Sequence, residues 1–201
     1  MSGMRVIGLT GGIACGKTTL CDTLRRAGAT VVDADAISRA LTARGGAALP
    51  AIRAAFGDGV FRGAALDRAA LAQSVFSDET QRKTLEGILH PMIAREMQAG
   101  IDAARRRGDK AVVLDVPLLY EAGLDKLCDE IWCAYAPQKA QIERLRLRDG
   151  LTRAQALARI RSQMPARDKA RRADSVVRTD GGMETAADAV FSLWHRIVEG
   201  A

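Results

Sequence analysis

GLTGGIACGKTT, residues 8–19, lies close to the start of a 201-residue chain. Inside it, Gly11-Gly12-Ile13-Ala14-Cys15-Gly16-Lys17-Thr18 fits the phosphate-loop pattern GxxxxGK[ST] at every specified position. The chemistry explains the residue types. Glycines let backbone N–H groups turn toward phosphate oxygens. A helix starting at the lysine adds partial positive charge at its first turn. The residues expected to cradle a nucleotide are Gly12, Ile13, Ala14, Cys15, Gly16, Lys17, Thr18 and Thr19. Lys17 is expected to bridge the β- and γ-phosphates, and Thr18 to ligate Mg²⁺. Cys15 needs to supply only its N–H, since the pattern leaves its side chain free.

The flanks agree with this. MRVIGLT, residues 4–10, is an apolar run ending in glycine and reads as a buried parallel strand. Residues 17–27 read as a helix, with Leu20 and Leu24 one turn apart and Gly28 as its stop. ATVVDAD, residues 29–35, is a second strand, which makes a β-loop-α-β unit. The expected fold class is therefore α/β: a P-loop NTPase parallel sheet flanked by helices, with a helical acceptor domain and a helical lid.

Residues 36–107 read as mostly helical, with breaks at Gly45-Gly46 and the GDG of 57–59, a capping Asp67, and a long stretch from 77 to 107. His90-Pro91 reads as the end of a helical run. Strands return at AVVLDVP, 111–117, and EIWCAYA, 130–136. Residues 138–172 are helical and rich in arginine; a last strand, 175–178, precedes a helix at 184–198. The expected division is a core of 1–35, 108–137 and 173–201, an acceptor domain of 36–107 and a lid of 138–172.

Three further groups complete the candidate site. Asp33-Ala34-Asp35 closes the second strand, at the edge where open α/β sheets bind ligands. One of these carboxylates is expected to take a proton from an attacking hydroxyl or to orient Mg²⁺, and one is equally placed to cap the next helix. Asp115 ends an apolar strand and is expected in the metal shell. Arg144 and Arg148 are i,i+4 neighbours, placed to bring charge onto a transferring phosphoryl.

Composition narrows the function classes. The formal net charge is +6 and aromatics are 4%, which suits a small phosphorylated ligand better than a stacked nucleic-acid strand. Four cysteines without a CxxC pair, and two histidines, fit neither a zinc site nor a disulfide framework. No signal segment is read before the first strand and no membrane span, so a cytoplasmic enzyme is expected. The chain contains no Asn, and hence no NKxD guanine reader. A nucleoside or nucleotide kinase of the same fold, and a nucleotide-dependent nucleic-acid binder, are the alternatives weighed.

GLTGGIACGKTT, VVDADAISR at 31–39, DRAALAQSVFSDETQRKTLEGILHP at 67–91, LDVPLLYEAGLD at 114–125, QIERLRLRDGLTRAQALARIRSQM at 141–164 and RRADSVV at 171–177 follow one another across nearly the whole chain. In this order they resemble the dephospho-coenzyme A kinase family. The resemblance implies transfer of the ATP γ-phosphoryl to the ribose 3′-hydroxyl of dephospho-coenzyme A, with ATP and Mg²⁺, in a protein taken as a monomer by default, with no nucleic-acid or membrane partner. It implies Asp35 as general base and Asp33 as its structural or metal-shell neighbour. It also implies a lid arginine between Arg144 and Arg148, Arg148 being favoured, and an acceptor side lined by Asp33, Asp35, His90, Arg95, Leu118 and Glu121. One departure stands out. The family tends to carry Asn after its last strand, where this chain has Arg178-Thr179-Asp180-Gly181, leaving Thr179 or backbone groups to hold the base.

Overall fold

The computed structural model describes residues 3–200; residues 1, 2 and 201, where the expected domain bounds begin and end, lie outside the described residues. A five-stranded sheet is built from β1 (Arg5–Gly11), β2 (Thr30–Asp33), β5 (Ala111–Asp115), β6 (Glu130–Tyr135) and β7 (Ser175–Arg178), in the order β2-β5-β1-β6-β7. β1 runs parallel to β5, with Leu9 opposite Asp115, and parallel to β6, with Gly11 opposite Ala134. β6 and β7 are also parallel. β5 is buried along its whole length and β1 from Val6 onward, as in a parallel sheet covered on both faces.

The chain divides into two compact units, one of residues 1–32 and 100–201, the other of residues 33–99. The arginine-rich segment therefore groups with the sheet, as α6 (Gln138–Asp149), α7 (Arg153–Arg161) and α8 (Ala166–Arg172). In this unit Ile7, Leu9, Leu20, Leu24, Trp132, Val190 and Trp194 share one buried core. Leu20 and Leu24 come from α1 (Lys17–Arg26), and Val190 and Trp194 from α9 (Met183–Glu199). Trp194 Nε1 donates to Ala27 O at 3.3 Å, tying α9 to the end of α1. Each fully buried large side chain contributes on the order of 1.5–3 kcal/mol.

The second unit contains α2 (Ala34–Leu41), α3 (Leu49–Phe56), a two-stranded hairpin of β3 (Phe61–Arg62) and β4 (Ala65–Leu66), and α4 (Arg68–Ser77). Its core is Leu41, Ala48, Ile52, Val60 and Leu71. Asp67 caps α4 as expected, accepting from Ala69 N at 3.1 Å and Ala70 N at 3.2 Å. The Ala70 amide, with Arg62 next, holds its carboxyl below the usual range. Two expectations need correction. His90-Pro91 does not end a helix: α5 runs unbroken over Glu79–Arg107 with Pro91 inside it. A proline removes one i→i−4 hydrogen bond, and the neighbouring Leu85, Ile88, Leu89, Met92 and Ile93 are packed on the apolar core, which holds the helix through the gap. The second strand ends at Asp33, so Asp35 lies in the first turn of α2 rather than on the strand. No helix among the described residues is long and apolar enough to cross a membrane.

Candidate active site

The glycine loop joins β1 to α1. Gly16 is the N-cap of α1 at φ 79°, a conformation open to glycine, and offers no side chain to cap the helix. The first amides of α1 are thereby left for a ligand. Ala14 is the one residue other than glycine with positive φ, at 59°, among the described residues. Thr19 N–H turns back to Gly16 O at 3.2 Å, and Cys15 N–H to Gly12 O at 3.1 Å.

The other side of the loop is held by side chains from distant parts of the chain. Gln141 Nε2 donates to Ile13 O at 2.7 Å, while Ile13 N–H donates to Gln163 Oε1 at 3.1 Å. Arg144 Nη1 donates to Ala14 O at 3.0 Å, and Thr179 Oγ1 to Cys15 O at 3.0 Å. Gly12 is pressed from the same side: a Cβ there would stand 2.8 Å from Gln141 Nε2 and 2.9 Å from Ala166 Cβ. Ile13 and Ala14 also pack on Leu145, Ala156 and Ile160 of α6 and α7.

Lys17 is ion-paired with Asp115 at the end of β5, both side chains being largely buried. Thr18 is exposed beside them on the first turn of α1. Thr18 and Asp115 thus offer a hydroxyl and a carboxylate, and no cluster of three or more metal-ligating side chains exists among the described residues. An oxygen-only, incomplete donor set fits Mg²⁺, which keeps waters and phosphate oxygens as its remaining ligands.

Arg144 and Arg148 do different things. Arg144 reaches Ala14 O and Thr179, as above, with its Nη2 on Thr179 O at 2.6 Å. Arg148 forks onto its neighbour Asp149 at 2.7 and 3.0 Å, and Arg159 meets the same carboxylate at 3.0 Å. The Arg148 guanidinium holds the Asp149 carboxyl below its ordinary range, and Asp149 in turn raises Arg148.

After β5, Leu118 is 38% exposed. Glu121 is not a free carboxylate: its Oε1 accepts from Lys169 Nζ at 2.8 Å and from Met164 N–H at 2.9 Å. Lys169, fully buried, also donates to Pro117 O at 2.5 Å, the carbonyl that Thr10 Oγ1 reaches at 3.2 Å. In the second unit, Asp33 is the N-cap of α2, accepting from Ala36 N at 2.9 Å. Asp35 is exposed on the first turn of α2, His90 is half-buried on α5, and Arg95 is exposed farther along it.

Gln141, Gln163 and Lys169 escaped the sequence reading as site residues, and Thr179 entered it only as a candidate to hold the base. The signals were present. Gln141 is one turn from the buried Leu145, and Lys169 shares a helix stripe with Ala166, Ala170 and Ala173, so both polar side chains stand on inward faces. Thr179 continues the alternation of β7, two residues after buried Val177. It is 1% exposed and committed to the loop, so its side chain does not replace the family's Asn in holding the base.

Cys15, Cys21 and Cys133 are buried, and burial raises all three thiols, Cys133 to about 12. Burial likewise pushes Cys128 up to about 12. At pH 8 a thiol at about 12, such as Cys128 or Cys133, is ionised about once in 10⁴ molecules. Native protein at pH 8 is therefore expected to resist iodoacetamide and to take up four labels once unfolded, as read by intact mass spectrometry. Rapid labelling of Cys15 in the native protein contradicts this packing.

The dephospho-CoA kinase family model matches residues 5–185. A dephospho-CoA kinase of Anaeromyxobacter dehalogenans is 47% identical over 185 residues, 92% of this chain and 88% of its own. One from Symbiobacterium thermophilum is 43% identical over 198 residues, 98% of this chain and 83% of its own. A Thermus thermophilus protein of known crystal structure superposes with a TM-score of 0.82 at 34% identity, covering 98% of this chain and 99% of that one.

Proposed function

The chain belongs to the dephospho-CoA kinase family, and from that premise we propose how its residues carry out the ATP-dependent phosphorylation of dephospho-coenzyme A in coenzyme A synthesis. The loop amides take the ATP phosphates, apart from those of Ile13, Cys15 and Thr19, which donate to Gln163 Oε1, Gly12 O and Gly16 O, and Lys17 moves its charge from Asp115 onto the β- and γ-oxygens. The ribose 3′-hydroxyl attacks the γ-phosphorus in line. An O–P bond to the ribose forms as the bond to ADP breaks, and Asp35 takes the hydroxyl proton. Thr18 and Asp115 are the groups that would hold Mg²⁺, which when bound offsets phosphate charge. Arg148 is favoured by the resemblance to stabilise the charge on the transferring group; because Arg148 is turned to Asp149 while Arg144 is held at the loop by Ala14 O, we take Arg144 as the first candidate and Arg148 as the other. Asp33, His90, Arg95, Leu118 and Glu121 belong to the acceptor side; Asp33 acts there through the cap it places on α2, and Glu121 through its grip on Lys169.

The observation that carries this division is the loop itself. Its outward carbonyls at Ile13, Ala14 and Cys15 are taken by protein donors, while the first turn of α1 has no side-chain cap. That arrangement is built for a polyphosphate. We read the enzyme as a cytoplasmic monomer acting on a small molecule, without nucleic acid; light scattering on a sizing column checks its oligomeric state. A coupled ADP-release assay tests the function. Turnover is expected with dephospho-coenzyme A and not with AMP, CMP or nucleosides. Turnover with a nucleoside monophosphate and none with dephospho-coenzyme A overturns the reading.

A further inference from the structure

We infer that Thr179 is a positioning residue for the ATP half of the reaction, aiming the Gly16 amide and the Arg144 guanidinium together. The inference rests on the loop being the ATP site, as proposed above. Thr179 N–H donates to Tyr135 O at 2.9 Å, extending the β6–β7 ladder by one residue, so the side chain is delivered to the loop by the sheet. Its Oγ1 lies 3.0 Å from Cys15 O and 3.3 Å from Tyr135 O, and accepts from Arg144 Nη1 at 3.0 Å. One hydroxyl hydrogen and two lone pairs suffice: it donates to Cys15 O and accepts from Arg144. Arg144 closes the frame through Thr179 O and Ala14 O.

The consequence for the ligand follows from peptide geometry. In a trans peptide the carbonyl of one residue and the N–H of the next lie in one rigid plane and point in opposite directions. Holding Cys15 O outward therefore fixes the Gly16 N–H inward. Holding Ala14 O through Arg144 fixes the preceding peptide by the same rule, its Cys15 N–H turned to Gly12 O. The Thr179 methyl stands against Gly16, where an added Cβ would come within 3.3 Å of Cγ2. Thr179 thus restrains the last turn of the loop from a position 164 residues away in sequence.

Thr179→Val keeps the shape and removes the hydroxyl; Thr179→Ser keeps the hydroxyl and removes the methyl. For Thr179→Val the KM for ATP is expected to rise about tenfold or more, the range for stranding buried polar partners. The KM for dephospho-coenzyme A is expected to stay within about twofold. Thr179→Ser is expected to recover most of the ATP affinity. A titration with a non-hydrolysable ATP analogue, without acceptor, should show the same order. It also separates this inference from the assignment of the acceptor, because it needs no turnover. Arg144→Gln, measured in the same titration, covers the case of poorly folding Thr179→Val, and is expected to weaken the analogue as well. Unchanged analogue affinity in both Thr179→Val and Arg144→Gln overturns the inference. So does an equal rise in both KM values with no rescue by serine, which describes a general loss of structure.

Discussion

Lys17→Ala is expected to fold and to transfer phosphoryl at least about 10³-fold more slowly than the parent, some 4 kcal/mol of transition-state stabilisation. In the proposed reaction the lysine ammonium lies on the oxygens where charge builds during transfer, and no other cation in the loop can substitute. Its pairing with Asp115 adds a second effect. Removing the amine leaves a largely buried carboxylate alone beside the Cys21 thiol, whose ionisation Asp115 already opposes. Stability should fall by about 1–3 kcal/mol. Urea melts followed by circular dichroism measure the stability loss, and the coupled assay measures the rate. Near-normal turnover by a folded Lys17→Ala protein contradicts the role given to the loop.

Asp35→Asn is the second large effect. The amide matches the carboxylate in size and cannot take a proton, so kcat should drop about 10²–10⁴-fold. The KM for ATP should hold, because the groups proposed to bind ATP belong to the other compact unit. Asp33 provides the contrast. It caps α2 through Ala36 N, and asparagine caps nearly as well as aspartate. Asp33→Asn should keep its melting temperature, while Asp33→Ala should lose about 1 kcal/mol. A folded Asp35→Asn variant with full kcat removes Asp35 from the chemistry.

Much of this was legible in the sequence where local physics decides. Glycine spacing, the apolar run before it and the leucines after it announce the loop, β1 and α1. Asp115 at the end of an apolar run was legible for the same reason. What stayed hidden depends on partners far along the chain. Pro91 looks like a terminator, and only the apolar side chains around it keep α5 continuous. Arg144 and Arg148 look equivalent by spacing, yet one turns to a loop carbonyl and the other to an adjacent aspartate. Glu121 looks like a ligand for substrate until Lys169 is found beside it. Lys169 sits among arginines, where charge is expected to face water. Only its register with Ala166 and Ala173 marks it as inward.

That lysine gives the arginine-rich segment two unlike moorings. At the turn between α6 and α7, Arg148, Asp149 and Arg159 meet with the arginine side chains 63% and 53% exposed. At α8, Lys169 grips Glu121 and Pro117 O with its own side chain fully buried, though Glu121 is 25% exposed. Dissolved ions reach both partners of the first, and only the carboxylate of the second. Near 1 M salt, where the screening length is about 3 Å, the exposed cluster loses most of its attraction and the buried amine keeps its own. Ionic strength then acts unevenly along one short stretch of chain, easing the α6–α7 corner while α8 stays fastened to the segment that follows β5.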